Sequence, residues 1–248
     1  MPALRSIPNL NGMTTDAQRK RRLLIFGGVV LAAIAVVAVV IAVGSGGDST
    51  STTATKTPAA APKSEFAGIP QSGNVLGDPN AKATLMVFAD MQCPFCREFE
   101  TGAFPSIVKR YVKTGKLKVV FQPISILGSD SVVASKAVAA AAAQKKLFDY
   151  TAAFYANQGQ ENTGYVTSDF LTKLAKAVPG LNVAKWQNDL NTEAGTSILT
   201  VAQTVAQTAR VDSISSFMVV KKGQTLTQFQ PNALTADAFY GKLDKLTQ

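Results

Sequence analysis

The chain of 248 residues has no histidine, only two cysteines and a single tryptophan. Without histidine, Ser-His-Asp and Cys-His nucleophile pairs are excluded, and so are imidazole-bound metals. Two cysteines cannot close a four-ligand zinc site from Cys and His within one chain. Only a cluster shared between two chains would gather four thiolates. Charged residues are scarce at 17%, while hydrophobic ones reach 46%, so most of the chain can bury a full core. The net charge of +9 is not gathered into a nucleic-acid footprint. Arg5, Arg19, Lys20, Arg21 and Arg22 face only Asp16 over residues 1–43, and the remaining charge is spread without a basic stripe or interleaved aromatics.

The N-terminal quarter does not read as globular. Residues 1–22 are a polar, basic tail ending in Arg19-Lys20-Arg21-Arg22. Residues 23–43 form an uncharged apolar run, long enough as a helix to cross a hydrocarbon core of ~30 Å. The basic cluster before it places the tail in the cytoplasm and the C-terminal remainder of the chain outside. A cleaved signal peptide would have an apolar region of only ~7–15 residues, so the length favours an uncleaved, single-pass anchor in the cell membrane. Residues 44–71 read as a flexible linker rich in Gly, Ser, Thr, Ala and Pro. A globular domain is expected over 72–248.

Within that domain Val75-Leu76 suggests a short edge strand, and Gly77-Asp78-Pro79-Asn80 a turn. Thr84–Ala89 is a short apolar run suited to a buried strand. Next come Cys93-Pro94-Phe95-Cys96, the only two cysteines, three positions apart at the start of a helical pattern. That pattern runs through Phe99, Phe104, Ile107, Val108, Tyr111 and Val112, with interruption expected at Gly102 and Pro105 and a stop at Gly115. Leu117–Phe121 reads as a second buried strand, completing a βαβ unit. Alanine-rich 131–145 opens a helical block with further helices over 147–156, 168–177, 183–191 and 196–209. Phe217–Val220 and Thr225–Phe229 read as a hairpin, and Thr235 as the N-cap of a last helix. Trp186, Phe148, Tyr150 and Phe154 are assigned to the core of the helical block. Arg97, Lys109, Arg110 and Lys113 are assigned to an exposed face.

Placed at a helix start, Cys93 meets free backbone N–H groups and the positive end of the helix dipole, which lower a thiol's pKa. Pro94 suits the first turn, where its missing N–H costs nothing. Cys93 is expected to be an exposed nucleophile and Cys96, one turn on, its resolving partner. A purely structural bridge is disfavoured, because a loop this short constrains the unfolded chain little. Phe95 offers the Cys93 thiolate neither a hydrogen bond nor a charge, so a moderate lowering of its pKa is expected.

The run Gly77-Asp78-Pro79-Asn80-Ala81, a strand, then Asp90-Met91-Gln92-Cys93-Pro94-Phe95-Cys96, resembles the DsbA-like thiol–disulfide oxidoreductases of the thioredoxin superfamily. The resemblance covers about residues 72–245 and returns at Phe217–Gly223. It implies an α/β thioredoxin fold with an inserted helical subdomain at about 129–210, preceded here by one N-terminal transmembrane helix. It also implies exchange of disulfides with exported proteins that carry cysteine pairs, no cofactor, and reoxidation by a quinone-linked membrane partner of the DsbB or vitamin K epoxide reductase type. Two positions depart from the family pattern. The buried acid six residues before the first cysteine is Val87 here. The cis-proline facing the CxxC is replaced, with Ile214-Ser215 in that loop. These departures keep open a second expectation, a tethered binding or scaffold protein with weakened catalysis, and leave the two-chain metal cluster as a third.

Overall fold

The computed structural model describes residues 64, 66–211, 213 and 215–248, apart from the side chain of residue 194. The expected basic tail, membrane helix and most of the linker lie outside the described residues, as does Ile214. Among the described residues no helix is long and apolar enough to cross a membrane.

A six-stranded mixed sheet forms the centre, with β1 (Gln71–Ser72), β2 (Val75–Leu76), β3 (Ala83–Ala89), β4 (Leu117–Pro123), β5 (Ser216–Lys221) and β6 (Thr227–Phe229) in the order β1-β2-β4-β3-β5-β6. β3 is central because both its neighbours are long: it pairs parallel with β4 and antiparallel with β5. Strand β3 carries Leu85, Val87, Phe88 and Ala89, all buried, as expected for a strand covered on both faces. The parallel pairing requires a crossover, supplied by α1 (Pro94–Thr101), α2 (Ala103–Ile107) and a π-helical turn (Val108–Val112). The expected break at Gly102 separates α1 from α2. Its backbone N–H still closes onto Glu98 O, and a Cβ there would stand 2.7 Å from the same oxygen. Pro105 is accommodated inside α2 near its start, so it does not end the helix.

Between β4 and β5 lie α3 (Ser129–Ala142), α4 (Leu147–Ala156), α5 (Ser168–Ala177), α6 (Val183–Asp189) and α7 (Glu193–Thr208), and α8 (Ala236–Thr247) closes the fold. α3 begins two residues earlier than its alanine pattern suggested and stops at Ala142, ahead of Lys145 in a left-handed conformation (φ 59°). α7 starts at Glu193 because Thr192 caps it, its hydroxyl accepting from Gly195 N. Thr235 does occupy the N-cap of α8, but its side chain makes no capping hydrogen bond.

α3 packs closely on its neighbours through small residues, with Ala134, Ala137, Ala140 and Ala141 all buried. Trp186 fills the helical block as expected; it stacks on Tyr150 at 5.6 Å and donates from Nε1 to Ala137 O at 2.8 Å. Against the sheet, Phe99 of α1 contacts Phe217 at 4.8 Å and Phe239 at 5.2 Å, tying the cysteine-bearing helix to β5 and α8. The core also reaches upstream into the stretch expected to be linker. Phe66 is buried and meets Phe104 at 6.0 Å and Phe148 at 5.9 Å. A flexible segment has no core to join; an aromatic five residues before β1 does, and it extends the folded unit. Arg110 is not simply part of an exposed face. It pairs with Asp244 at 3.0 Å, and Tyr111 donates to the same carboxylate at 2.7 Å, joining the π-helical turn to α8.

Candidate active site

Cys93 and Cys96 meet at the carboxyl end of β3, where the strand turns into α1. Cys93 is the N-cap of α1, with extended backbone angles (φ −70°, ψ 122°), and its sulfur accepts from Cys96 N at 3.4 Å. Thiol sulfur thus occupies the place of a capping oxygen. Pro94 holds the first helical position and Phe95 the second, both exposed. Both cysteines are reduced.

The two sulfurs differ electrically. Cys93 is lowered from its ordinary 9.0 to about 6. The hydrogen bond from the Cys96 thiol is the largest cause; burial opposes it, and the Cys96 N–H, the Ser215 hydroxyl and the Phe95 N–H add to the lowering. Cys96 is raised well above its ordinary value, first by burial, then by its hydrogen bond to the Cys93 sulfur and by the negative charge there. One thiol is therefore set up to be the thiolate and the other to hold the proton. The lowering at Cys93 is moderate compared with the value of about 3.5 in DsbA.

Cys93 is not exposed. Its relative accessibility is 0% and that of Cys96 is 2%, whereas Phe95 between them is 61% exposed. The helix N-terminus donates to the sulfur from one side, and Ser215 closes in from another. Ser215 Oγ stands 3.1 Å from Cys96 Sγ and 3.7 Å from Cys93 Sγ. The Cys96 thiol and the helix N-terminus set the electrostatics of Cys93, while Ser215, more than a hundred residues away, closes over it. Ser215 itself has left-handed backbone (φ 60°), uncommon for a residue with a Cβ. Proline, locked near φ −65°, could not take that conformation. Val87 stands opposite Phe121 and Phe217 in the sheet and is buried, so an apolar contact fills the place of the family's acid.

A polar network beneath the cysteines was not foreseen. Asp90 is fully buried, and its carboxylate accepts from Ser131 Oγ (2.6 Å), Ile126 N (2.8 Å), Gln92 N (2.9 Å) and Leu127 N (3.0 Å). Gln92 reaches Leu127 O and Ser131 Oγ through Nε2, and accepts from Asn162 N at 2.9 Å. Gln158 donates to Met91 O at 2.9 Å and Cys93 O at 3.1 Å, and Tyr155 donates to Asp90 O at 3.1 Å. The Asp90-Met91-Gln92 stretch was visible in the sequence; its partners, some 35 to 70 residues away, were not. Among the described residues no three His, Cys, Asp or Glu side chains converge to hold a metal ion. A cavity of about 250 Å³ lies away from the sulfurs, lined by Phe66, Glu100, Phe104 and Asp149 among others. Neither cysteine lines it.

The fold and site together define a thioredoxin-fold domain with a helical insertion, bearing an asymmetric dithiol at the N-terminus of a helix. Residues 71–230 match the family model described as Thioredoxin, and the chain belongs to that family. It is 26% identical over 121 residues to the "Probable disulfide bond formation protein D" of Bacillus cereus, a match spanning 48% of this chain and 56% of that protein. To the "Disulfide bond formation protein D" of Bacillus subtilis it is 28% identical over 123 residues, covering 48% and 54%. The matched region thus spans little more than half of these curated relatives. The oxidised BdbD structure from Bacillus subtilis shares the fold with a TM-score of 0.62 at 21% identity, covering 72% of this chain and 97% of that one. DsbA of Chlamydia trachomatis shares it with a TM-score of 0.58 at 21% identity, covering 70% and 90%.

Proposed function

We propose that this protein is a membrane-anchored, extracytoplasmic thiol–disulfide oxidoreductase that introduces or exchanges disulfides in exported proteins. The observation that carries the reading is the opposed pair of thiols, Cys93 lowered to about 6 and Cys96 raised by burial. Such a pair makes Cys93 the nucleophile of the reduced form and the better leaving group from a mixed disulfide, while Cys96 retains the proton. A substrate thiolate attacks Cys93 Sγ of the oxidised enzyme and Cys96 departs. The second substrate thiol then attacks the substrate sulfur of the mixed disulfide and releases the Cys93 thiolate. Two electrons pass from the substrate dithiol to the enzyme disulfide.

Exposed Phe95 and Ile126 suit an unfolded polypeptide with apolar side chains. Ile126 belongs to the loop held by Asp90. The relatives' names point to disulfide formation as the direction. Reoxidation falls to a quinone-linked membrane protein of the DsbB or vitamin K epoxide reductase type. The apolar run over 23–43 supports an uncleaved anchor with its basic tail in the cytoplasm, which puts the dithiol in a compartment where disulfides persist.

The test is the reduction potential of the Cys93/Cys96 pair in glutathione buffers. The oxidase or isomerase reading expects a value between about −120 and −180 mV; a value below roughly −300 mV marks a structural disulfide and overturns it. A second reading, a tethered binding protein with weakened catalysis, draws on the complete burial of Cys93 and the apolar Val87. Unaltered function in a Cys93→Ser/Cys96→Ser double variant would favour it.

A further inference from the structure

Cys96 poses a problem that the oxidoreductase reading leaves unsolved. The residue is 2% exposed, yet its sulfur must lose a proton whenever it attacks and regain one whenever it leaves. Water does not reach it freely, so a protein group has to carry that proton. Its polar neighbours are the Cys93 sulfur, the Asp90 backbone and Ser215 Oγ. A backbone amide cannot relay a proton. A hydroxyl can, because it accepts through a lone pair and donates its own hydrogen in one motion.

Resting on that oxidoreductase reading, we propose that Ser215 is a catalytic residue, its hydroxyl relaying the proton between Cys96 and the sulfur that joins or leaves Cys93. The geometry is that of a relay, 3.1 Å to the sulfur that holds the proton and 3.7 Å to the sulfur where exchange occurs. In the closing step Cys96 Sγ attacks Cys93 Sγ, and the bond from Cys93 Sγ to the substrate sulfur breaks. The electron pair of that bond leaves with the substrate sulfur. The Cys96 proton passes to Ser215 Oγ while the hydroxyl hydrogen passes to the departing sulfur, so no alkoxide accumulates. Run backwards, a substrate thiol gives its proton to Ser215 as it attacks Cys93, and Ser215 protonates the departing Cys96. The left-handed backbone of Ser215 (φ 60°) is an uncommon conformation held where it sets the hydroxyl between the two sulfurs.

The other titratable groups nearby are committed elsewhere or farther along the helix. Both Asp90 oxygens accept from other donors, and the Tyr155 hydroxyl donates to Asp90 O. Glu100 follows Cys96 by one turn of α1 and lines the cavity with Asp149. It is the competing carrier, and the experiment includes it.

The reduced full-length protein is mixed with saturating oxidised glutathione, and the first-order closure of the Cys93–glutathione adduct is followed by acid quench and mass analysis from pH 5 to 10. Ser215→Ala is expected to close roughly 10²-fold more slowly at pH 6–7, the low end for a lost acid–base group. Its rate should climb steeply with pH toward the wild-type value as hydroxide takes over. Glu100→Gln should keep the wild-type profile. On the wild type alone, a solvent deuterium effect with a bowed proton inventory is expected, two hydrogens being in flight; this arm requires no variant to fold. A Ser215→Ala profile parallel to wild type, a rate loss in Glu100→Gln instead, or no deuterium effect overturns the relay. If the wild type forms neither a Cys93 adduct nor a Cys93–Cys96 disulfide under saturating oxidised glutathione, the oxidoreductase reading itself is overturned.

Discussion

Lowering the Cys93 thiol couples the stability of the reduced protein to pH. The folded value is about 6 against an ordinary 9.0, so the folded state binds the proton more weakly than the unfolded chain. A depressed folded pKa contributes stability that is complete above the unfolded value, near 9, and is lost as pH falls through 6. Linkage then yields at most about 1.4 kcal/mol at pH 7 and about 2.7 kcal/mol at pH 8, relative to pH 4–5. Local relaxation and water penetration around the pair reduce these by up to about half. Cys96 acts in the opposite sense, but only above its unfolded pKa near 9, because its folded value is raised. Between pH 6 and 9 the Cys93 contribution therefore stands alone on the pair. Urea denaturation of the reduced wild type and of reduced Cys93→Ser, each from pH 5 to 8.5, isolates it. The difference between the two should grow by about 1–3 kcal/mol over that range in favour of the wild type. A difference independent of pH would refute the electrostatic asymmetry on which the catalytic reading stands.

Other perturbations discriminate the parts of the fold. Cys93→Ser should abolish turnover on a reduced unfolded substrate, while Cys96→Ser should accumulate mixed disulfides visible on non-reducing gels. Asp90→Ala strips four donors of their acceptor in the interior and should cost about 3 kcal/mol or more by chemical denaturation. Arg110→Ala, which breaks an ion pair whose side chains are 50% and 41% exposed, should cost less than about 1 kcal/mol in the same assay. Ser215→Pro should not restore the family's loop but lower the thermal midpoint, since proline cannot adopt φ 60°.

Most of the architecture was legible because it rests on local chemistry. The apolar run at Thr84–Ala89 and the β-branched run at Leu117–Phe121 could be little else than buried strands, and Gly102 broke the helix where its position suggested. The α3 boundaries slipped by two residues at the start and three at the end, because alanine supplies propensity without marking where a helix begins or stops. Cys93 and Cys96 announced themselves as the only cysteines at a helix start. The burial of Cys93, by contrast, depends on a loop more than a hundred residues away, and no local pattern reports it. The Asp90–Gln92 network was hidden for the same reason: each partner is an ordinary Ser, Gln, Asn or Tyr until the fold brings it home. Phe66 escaped notice because one aromatic in a polar stretch has no period to betray it.

The hydrogen bonds from Gln158 and Tyr155 bear on how oxidation is absorbed. Carbonyls of Asp90, Met91 and Cys93 are held by side chains of the helical insertion, so the turn that carries the first sulfur is anchored to the insertion as well as to the sheet. When the two sulfurs draw together into a bond, that side of the site has little freedom to follow. The compliance must come from the opposite wall, the loop before β5 that bears Ser215. The insertion is then the stator of the redox cycle and Ser215 stands on its moving side, and amide-exchange differences between oxidised and reduced protein should concentrate at Ser213 and Ser215 rather than at 90–96.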